Sequence, residues 1–157
     1  TSRQDAESIV AQHSICATTT IQLVDTVPVT ELRKLRSMLP STKLVQVIHV
    51  LDDESVEQAL QVQPEVDALL LDSGNPNLQV KELGGTGRVH NWRISRDICS
   101  KAKVPVFLAG GLRSDNVAES IRQVQPFGLD LCSSVRTDGR LDLHKLSKFM
   151  RAVHASS

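Results

Sequence analysis

The chain has 157 residues, 40% hydrophobic and 23% charged, with 18 Lys and Arg balancing 18 Asp and Glu at a net charge of zero. That suffices for one globular domain with a sizeable core, and the balance excludes a general electrostatic pull toward nucleic acid or an anionic membrane. Aromatic content of 3% without Tyr argues against a base-stacking surface, and with no apolar run near the ~20 residues of a membrane span and no signal-like opening, a cytoplasmic location is expected.

Helix-like and strand-like periodicities alternate throughout with no Ser/Gly/Pro-rich linker, so residues 1–157 read as a single domain. Residues 4–12 read as a helix, with Ala6, Ile9 and Val10 at helical spacing, and 20–24 as a strand. Residues 30–38 are helical, with Leu32, Leu35 and Leu39 on one stripe that Pro40 ends. A β-branched strand follows at 43–50. Asp52 or Asp53 then caps a helix whose apolar side carries Val56, Ala59 and Leu60. The run VDALLLD at 66–72 is apolar enough for burial on both faces. The longest insertion, 73–91, contains Gly84, Gly85, Thr86 and Gly87. Residues 92–102 read as a helix, 104–109 as a strand, 114–124 as a helix, 129–133 as a strand and 141–153 as the closing helix.

This alternation predicts right-handed βαβ crossovers and a parallel α/β sheet of about five βα units. Two architectures share it: (βα) repeats of a TIM-barrel type, and an open doubly wound sheet. Both gather functional groups at the carboxyl ends of the strands, which nominates Asp25, His49, Asp72, Gly110, Gly111, Ser133 and Ser134.

The stretches VPVFLAGGL (104–112) and PFGLDLCSSV (126–135) each run an apolar strand into small residues suited to holding a phosphate. Gly110 and Gly111 let the backbone approach a ligand closely, and a helix capped at Ser114 would aim its free N–H groups at the same spot. Cys16, Cys99 and Cys132 are odd in number and lack CxxC spacing, so they read as reduced small residues, with no zinc or disulfide framework. Trp92 is expected to pack a helix start against the sheet. His49 and His90 have no partner visible in the sequence, and neither is assigned as a base.

Taken in order, LLLDS, GGTG with Trp92 shortly after, PVFLAGGL followed by SDNVAES, and PFGLDLCSSV with DGRLD resemble the phosphoribosylanthranilate isomerase family, more weakly back through IQLVD at 21–25. The resemblance implies a (βα)8 barrel and an Amadori rearrangement of N-(5-phosphoribosyl)anthranilate in tryptophan biosynthesis. It implies a small phosphosugar substrate and neither cofactor nor metal. In such a reaction a general acid protonates the furanose ring oxygen, and a general base removes a proton from the adjacent ribose carbon. Asp72 matches the acid. Asp130 matches an acidic residue of the last strand, for substrate positioning or an internal hydrogen bond. Gly110, Gly111, Ser133 and Ser134 fall at the phosphate site, and Gly84, Gly85, Thr86 and Gly87 in a wall of the site.

The family's general base is a Cys in a Lys-Ile-Cys-Gly type sequence, which this chain does not contain. Aligned on the motifs, the chain matches the C-terminal five-eighths of the barrel and lacks the first three βα units. Its open sheet edges are then expected to favour self-association or a partner chain. The chain alone is expected to be inactive and the full-length protein to be an isomerase, with a non-catalytic phosphosugar-binding or assembly fragment of such a barrel as the alternative. Ser134 stands where the family commonly has Gly, and Arg136 where an acidic residue is common, there to pair with phosphate or to be solvated.

Overall fold

Five parallel strands follow one another in both sequence and space. The computed structural model describes residues 1–74 and 90–156, and the glycine-rich segment with Gly84, Gly85, Thr86 and Gly87 lies outside the described residues. The strands are β1 (Thr20–Leu23), β2 (Lys43–His49), β3 (Ala68–Asp72), β4 (Val106–Leu108) and β5 (Gly128–Leu129), hydrogen-bonded in that order. Every pairing is parallel: Gln22 lies opposite Val45, Val47 opposite Leu70, Leu70 opposite Phe107, and Phe107 opposite Gly128. A doubly wound sheet reverses its strand order at a switch point. The unbroken order here is that of a TIM-barrel-like arc.

The helices are α1 (Ala6–Cys16), α2 (Val29–Met38), α3 (Glu54–Val62), α4 (Trp92–Lys101), α5 (Val117–Val124) and α6 (Leu143–His154). Neighbours pack side by side, α1 on α2, α3 on α4, α4 on α5 and α5 on α6. Strand alternation divides the apolar residues into two groups. Leu23, Leu44, Ile48, Leu69, Leu71 and Leu108 join helix residues such as Leu32, Leu35, Ile98 and Val124 in one core, while Val47, Leu70 and Ala109, with Val24, Val45 and Phe107 against them, form a second cluster on the opposite face. All of β3 is buried, as its unbroken apolar run requires. At Gly128 an added Cβ would stand 2.7 Å from the Phe107 ring, so glycine is what lets that ring cross to the edge strand. There it meets Phe127 edge-on at 5.4 Å.

Several boundaries differ from the sequence expectation, each for a local reason. α1 begins at Ala6 because Asp5 accepts a hydrogen bond from the Ser8 amide, and it runs on to Cys16 before Ala17 turns left-handed. Of the two aspartates expected to cap α3, Asp52 is the one that takes the Glu54 amide. α5 starts at Val117 rather than at Ser114: Asn116 accepts from the Arg113 amide and donates to the Gly111 carbonyl, making a turn where a capped helix was expected. A small hairpin, β6 (Arg136–Thr137) with β7 (Arg140–Leu141), was not foreseen. Its turn is Asp138-Gly139, both at positive φ, a strong short-range hairpin signal. Cys16 and Cys132 are exposed and Cys99 is half-buried, so only Cys99 behaves as a packed small residue, its thiol pushed up to about 11 by burial.

Candidate functional site

At the carboxyl ends of the strands the side chains change from apolar to polar within one residue. Leu71, Leu108 and Leu129 are paired across β3, β4 and β5. The residues that follow them are Asp72, Ala109 and Asp130, held in place as the Ala109 amide donates to the Leu71 carbonyl and the Asp130 amide to the Leu108 carbonyl. Two carboxyl groups thus flank a methyl group, with room above it. Asp72 is 7% exposed, and its Oδ1 accepts from the Ser73 amide at 2.8 Å. Asp130 is more open to solvent. Its partial burial, and then the Asp72 carboxylate, push its carboxyl above the ordinary value.

Beyond Ala109 the backbone turns left-handed twice, at Gly110 (φ 82°) and Gly111 (φ 63°). A Cβ on Gly110 would fall 2.8 to 2.9 Å from the Ser73 side chain and amide, so glycine is needed there both for conformation and for clearance. Leu112 anchors the turn in the core. Ser133 and Ser134 open a single 3-10 turn after β5. The Ser134 hydroxyl is buried and has no hydrogen-bond partner among the described residues, a cost that a ligand oxygen would remove. Asp72, Gly110, Gly111, Asp130, Ser133 and Ser134 line one hollow. The structure therefore brings together every described residue that the sequence proposed for acid, substrate and phosphate.

Arg136 does not join them: it is exposed, and its Nη1 donates to the Gly139 carbonyl across the hairpin. A second hollow shares Ser134 and is lined by Arg113, Asp115, Lys145 and Lys148; with Arg113 paired to Asp115, the two lysines give the loop region a positive flank suited to an anion. The sequence analysis missed these lysines, although their spacing of three on α6 was a signal for a shared helix face.

The two histidines also have defined places. His49 ends β2 as the register partner of Asp72; it is 5% exposed, and its Nε2 donates to the Val24 carbonyl at 2.9 Å. Next to it Gln46 Nε2 donates to the carbonyls of Leu23 and Asp25, tying the end of β1 to β2. Asp25, also buried, accepts from the Thr26 amide. His90 stands before α4 with Nε2 2.6 Å from the Ser95 hydroxyl. Burial pushes its imidazole down to about 4, against an opposing pull from the Asp72 carboxylate. Trp92 packs against the main core as expected.

The family model of N-(5'-phosphoribosyl)anthranilate (PRA) isomerase matches residues 2–152. The N-(5'-phosphoribosyl)anthranilate isomerase of Methanocella arvoryzae is 34% identical over 139 residues, covering 88% of this chain and 63% of that protein. The Nostoc punctiforme protein of the same name is 39% identical over 121 residues, covering 76% and 55%. Among solved structures, the Thermococcus kodakaraensis phosphoribosyl anthranilate isomerase superposes with a TM-score of 0.76 at 28% identity, covering 97% of this chain and 71% of that one. A phosphoribosyl anthranilate isomerase in complex with reduced 1-(o-carboxyphenylamino)-1-deoxyribulose 5-phosphate shares the fold, with a TM-score of 0.73 at 21% identity and coverage of 98% and 68%. The chain spans 60% to 66% of the length of the first three curated relatives it matches. On sequence and fold together, the chain belongs to the N-(5'-phosphoribosyl)anthranilate isomerase family.

Proposed function

We propose that this chain supplies the general acid and the phosphate grip of an enzyme that converts N-(5-phosphoribosyl)anthranilate into its carboxyphenylamino-deoxyribulose phosphate. The observation that carries the reading is the shared hollow: Asp72 lines the same space as Gly110, Gly111, Ser133 and Ser134, as a sugar held by its phosphate and protonated at its ring oxygen requires. The orphaned Ser134 hydroxyl donates to a phosphate oxygen, the glycine turn lets the phosphate approach the backbone, and Lys145 and Lys148 favour its charge. Asp72, as the general acid, gives a proton to the furanose oxygen. The C1–O bond breaks with its electron pair going to that oxygen, and the nitrogen lone pair forms the C=N bond. A base then removes the C2 proton, and the resulting enolamine rearranges to the ketone. Asp130 orients a sugar hydroxyl. Gly84, Gly85, Thr86 and Gly87 form a wall of the site, and no metal or organic cofactor enters any step.

The five strands correspond in this reading to the C-terminal five-eighths of the family's eight-stranded barrel. The share of its relatives that the chain spans supports that correspondence. The general base then comes from the family's first strand, and β1 and β5, at the sheet's edges, are where further strands or a second chain join. No described helix is long and apolar enough to cross a membrane, and the reaction is assigned to the cytoplasm.

The test is calorimetric titration of the full-length protein with the reduced deoxyribulose phosphate analogue, alongside complementation of a tryptophan auxotroph lacking this isomerase. Binding and growth are expected. Binding without turnover would make the protein a phosphosugar-binding module, and no binding at all would overturn the reading.

A further inference from the structure

We propose that the hollow between the Arg113 turn and α6 is a second anion site, separate from the phosphate grip, which takes a phosphate group of its own through Lys145 and Lys148. It adds a ligand to the reading above. Asp72, Gly110 and Gly111 do not line this hollow, and Ser134 is the one residue common to both. The space is about 280 Å³. Phe149, 2% exposed, gives it an apolar floor.

Charge selects the ligand. Arg113, Lys145 and Lys148 share the hollow with one carboxylate, that of Asp115. The Arg113 Nε is engaged with Asp115 at 3.1 Å and its Nη1 with the Gly111 carbonyl, so this pair is neutral overall. Lys145 donates to the Arg136 carbonyl at 2.8 Å, a neutral partner that leaves its charge uncompensated and two of its three N–H groups unused. Lys148 has no hydrogen bond or ion pair among the described residues. Asp142, at the start of α6, commits its carboxylate to the Thr137 hydroxyl and to the His144 and Lys145 amides, and α6 itself contains no Asp or Glu. The hollow therefore holds two positive charges without a counter-charge.

The type of cation narrows the choice further. An ammonium is a point charge with its donors spread around it, and two of them can hold a tetrahedral dianion from two sides, whereas a planar carboxylate is matched by the flat fork of a guanidinium. The guanidinium that lines this hollow, Arg113, is already occupied by Asp115. Ser114, whose hydroxyl has no partner among the described residues, offers a neutral donor from the turn. Over an apolar floor each charge acts more strongly than in open water, which favours a doubly charged phosphate group over a singly charged carboxylate.

The test begins with the full-length protein saturated with the reduced deoxyribulose phosphate analogue, which fills the grip. Inorganic phosphate, ribose 5-phosphate and acetate are then titrated in, with calorimetry as the readout. One phosphate per chain is expected to bind beyond the analogue, with acetate weaker. Lys148→Glu should weaken that phosphate about tenfold, while Lys148→Arg, which keeps the charge, retains it. Ribose 5-phosphate binding alongside inorganic phosphate would identify the ligand as a phosphate monoester, and inorganic phosphate alone would identify it as the free ion; both outcomes support the site. Absence of any phosphate beyond the analogue overturns the proposal and leaves the isomerase reading intact. So does equal phosphate affinity in wild type and Lys148→Glu. Failure of the wild type to bind the analogue overturns the isomerase reading instead, and the same comparison of wild type with Lys148→Glu in the ligand-free protein then decides the second site.

Discussion

Strand β3 is bounded by two aspartates in opposite circumstances. Asp67, just before it, is tied to the Leu44 amide and to Lys43 and Arg36. Burial raises its carboxyl, but these partners outweigh the burial and hold it at about 2. Asp72, at the other end, is more deeply buried, accepts from the Ser73 amide, and faces a hollow whose other carboxyl, Asp130, is pushed upward. The amino-terminal end of the sheet pairs its charges with each other. The carboxyl-terminal end leaves Ser134, His49 and His90 with polar atoms that lack partners among the described residues. One strand thus separates an end that stabilises the fold from an end kept ready for a ligand.

Four measurements would sharpen or break that contrast. The largest effect is expected from Asp72→Asn in the full-length protein, which can keep the Ser73 contact yet cannot serve as the proposed acid: turnover should drop by about two to four orders of magnitude, with the melting temperature nearly unchanged. An equal loss from Asp67→Asn would erase the distinction between the ends. Next comes Gly110→Ala, which must displace Ser73 and hold an unfavourable φ. It should cost about 1–3 kcal/mol and weaken phosphate binding, as read by denaturation and titration with phosphate.

The third measurement concerns His90. Its folded pKa of about 4 lies below the ordinary 6.5, so between those values the unfolded chain binds the extra proton and stability falls as pH drops. The loss is at most about 3 kcal/mol, and His90→Gln should flatten the stability curve over that window. The smallest effect belongs to Asp67→Asn, about 1 kcal/mol once solvent screening of its ion pairs is allowed for. The contribution of Asp67 is complete above pH ~4 and disappears as pH falls toward 2. A stability curve that was the same for wild type and Asp67→Asn would show the ion pairs to be ornamental.

Much of this architecture was legible because it is written locally. The Leu32, Leu35 stripe, the apolar run into Asp72 and the strand ends at Gly110 and Ser133 are periodic or adjacent in sequence, and each lies where its pattern implies. What escaped depends on contacts that no side-chain pattern announces. His49 is oriented by a backbone carbonyl 25 residues away. The helix expected to begin at Ser114 is displaced because Asn116 turns back on Gly111 and Arg113. The cationic flank joins Arg113, in a turn, to Lys145 and Lys148 on the last helix, a proximity only the tertiary structure creates. The Asp138-Gly139 turn was readable and was overlooked.

The unbroken strand order also bears on how the chain assembles. Each pairing closes a loop, and the entropy of closure grows slowly with loop length, by about 0.6 kcal/mol per doubling. Thr20 finds Lys43, Val45 finds Ala68 and Phe107 finds Gly128 over similar spans, whereas Leu69 must wait for Val106. The seam between β3 and β4 is therefore the costliest to close. Asp72 stands on one side of it and Gly110 on the other, so the proposed acid and the proposed phosphate grip become neighbours only when the two halves of the sheet join.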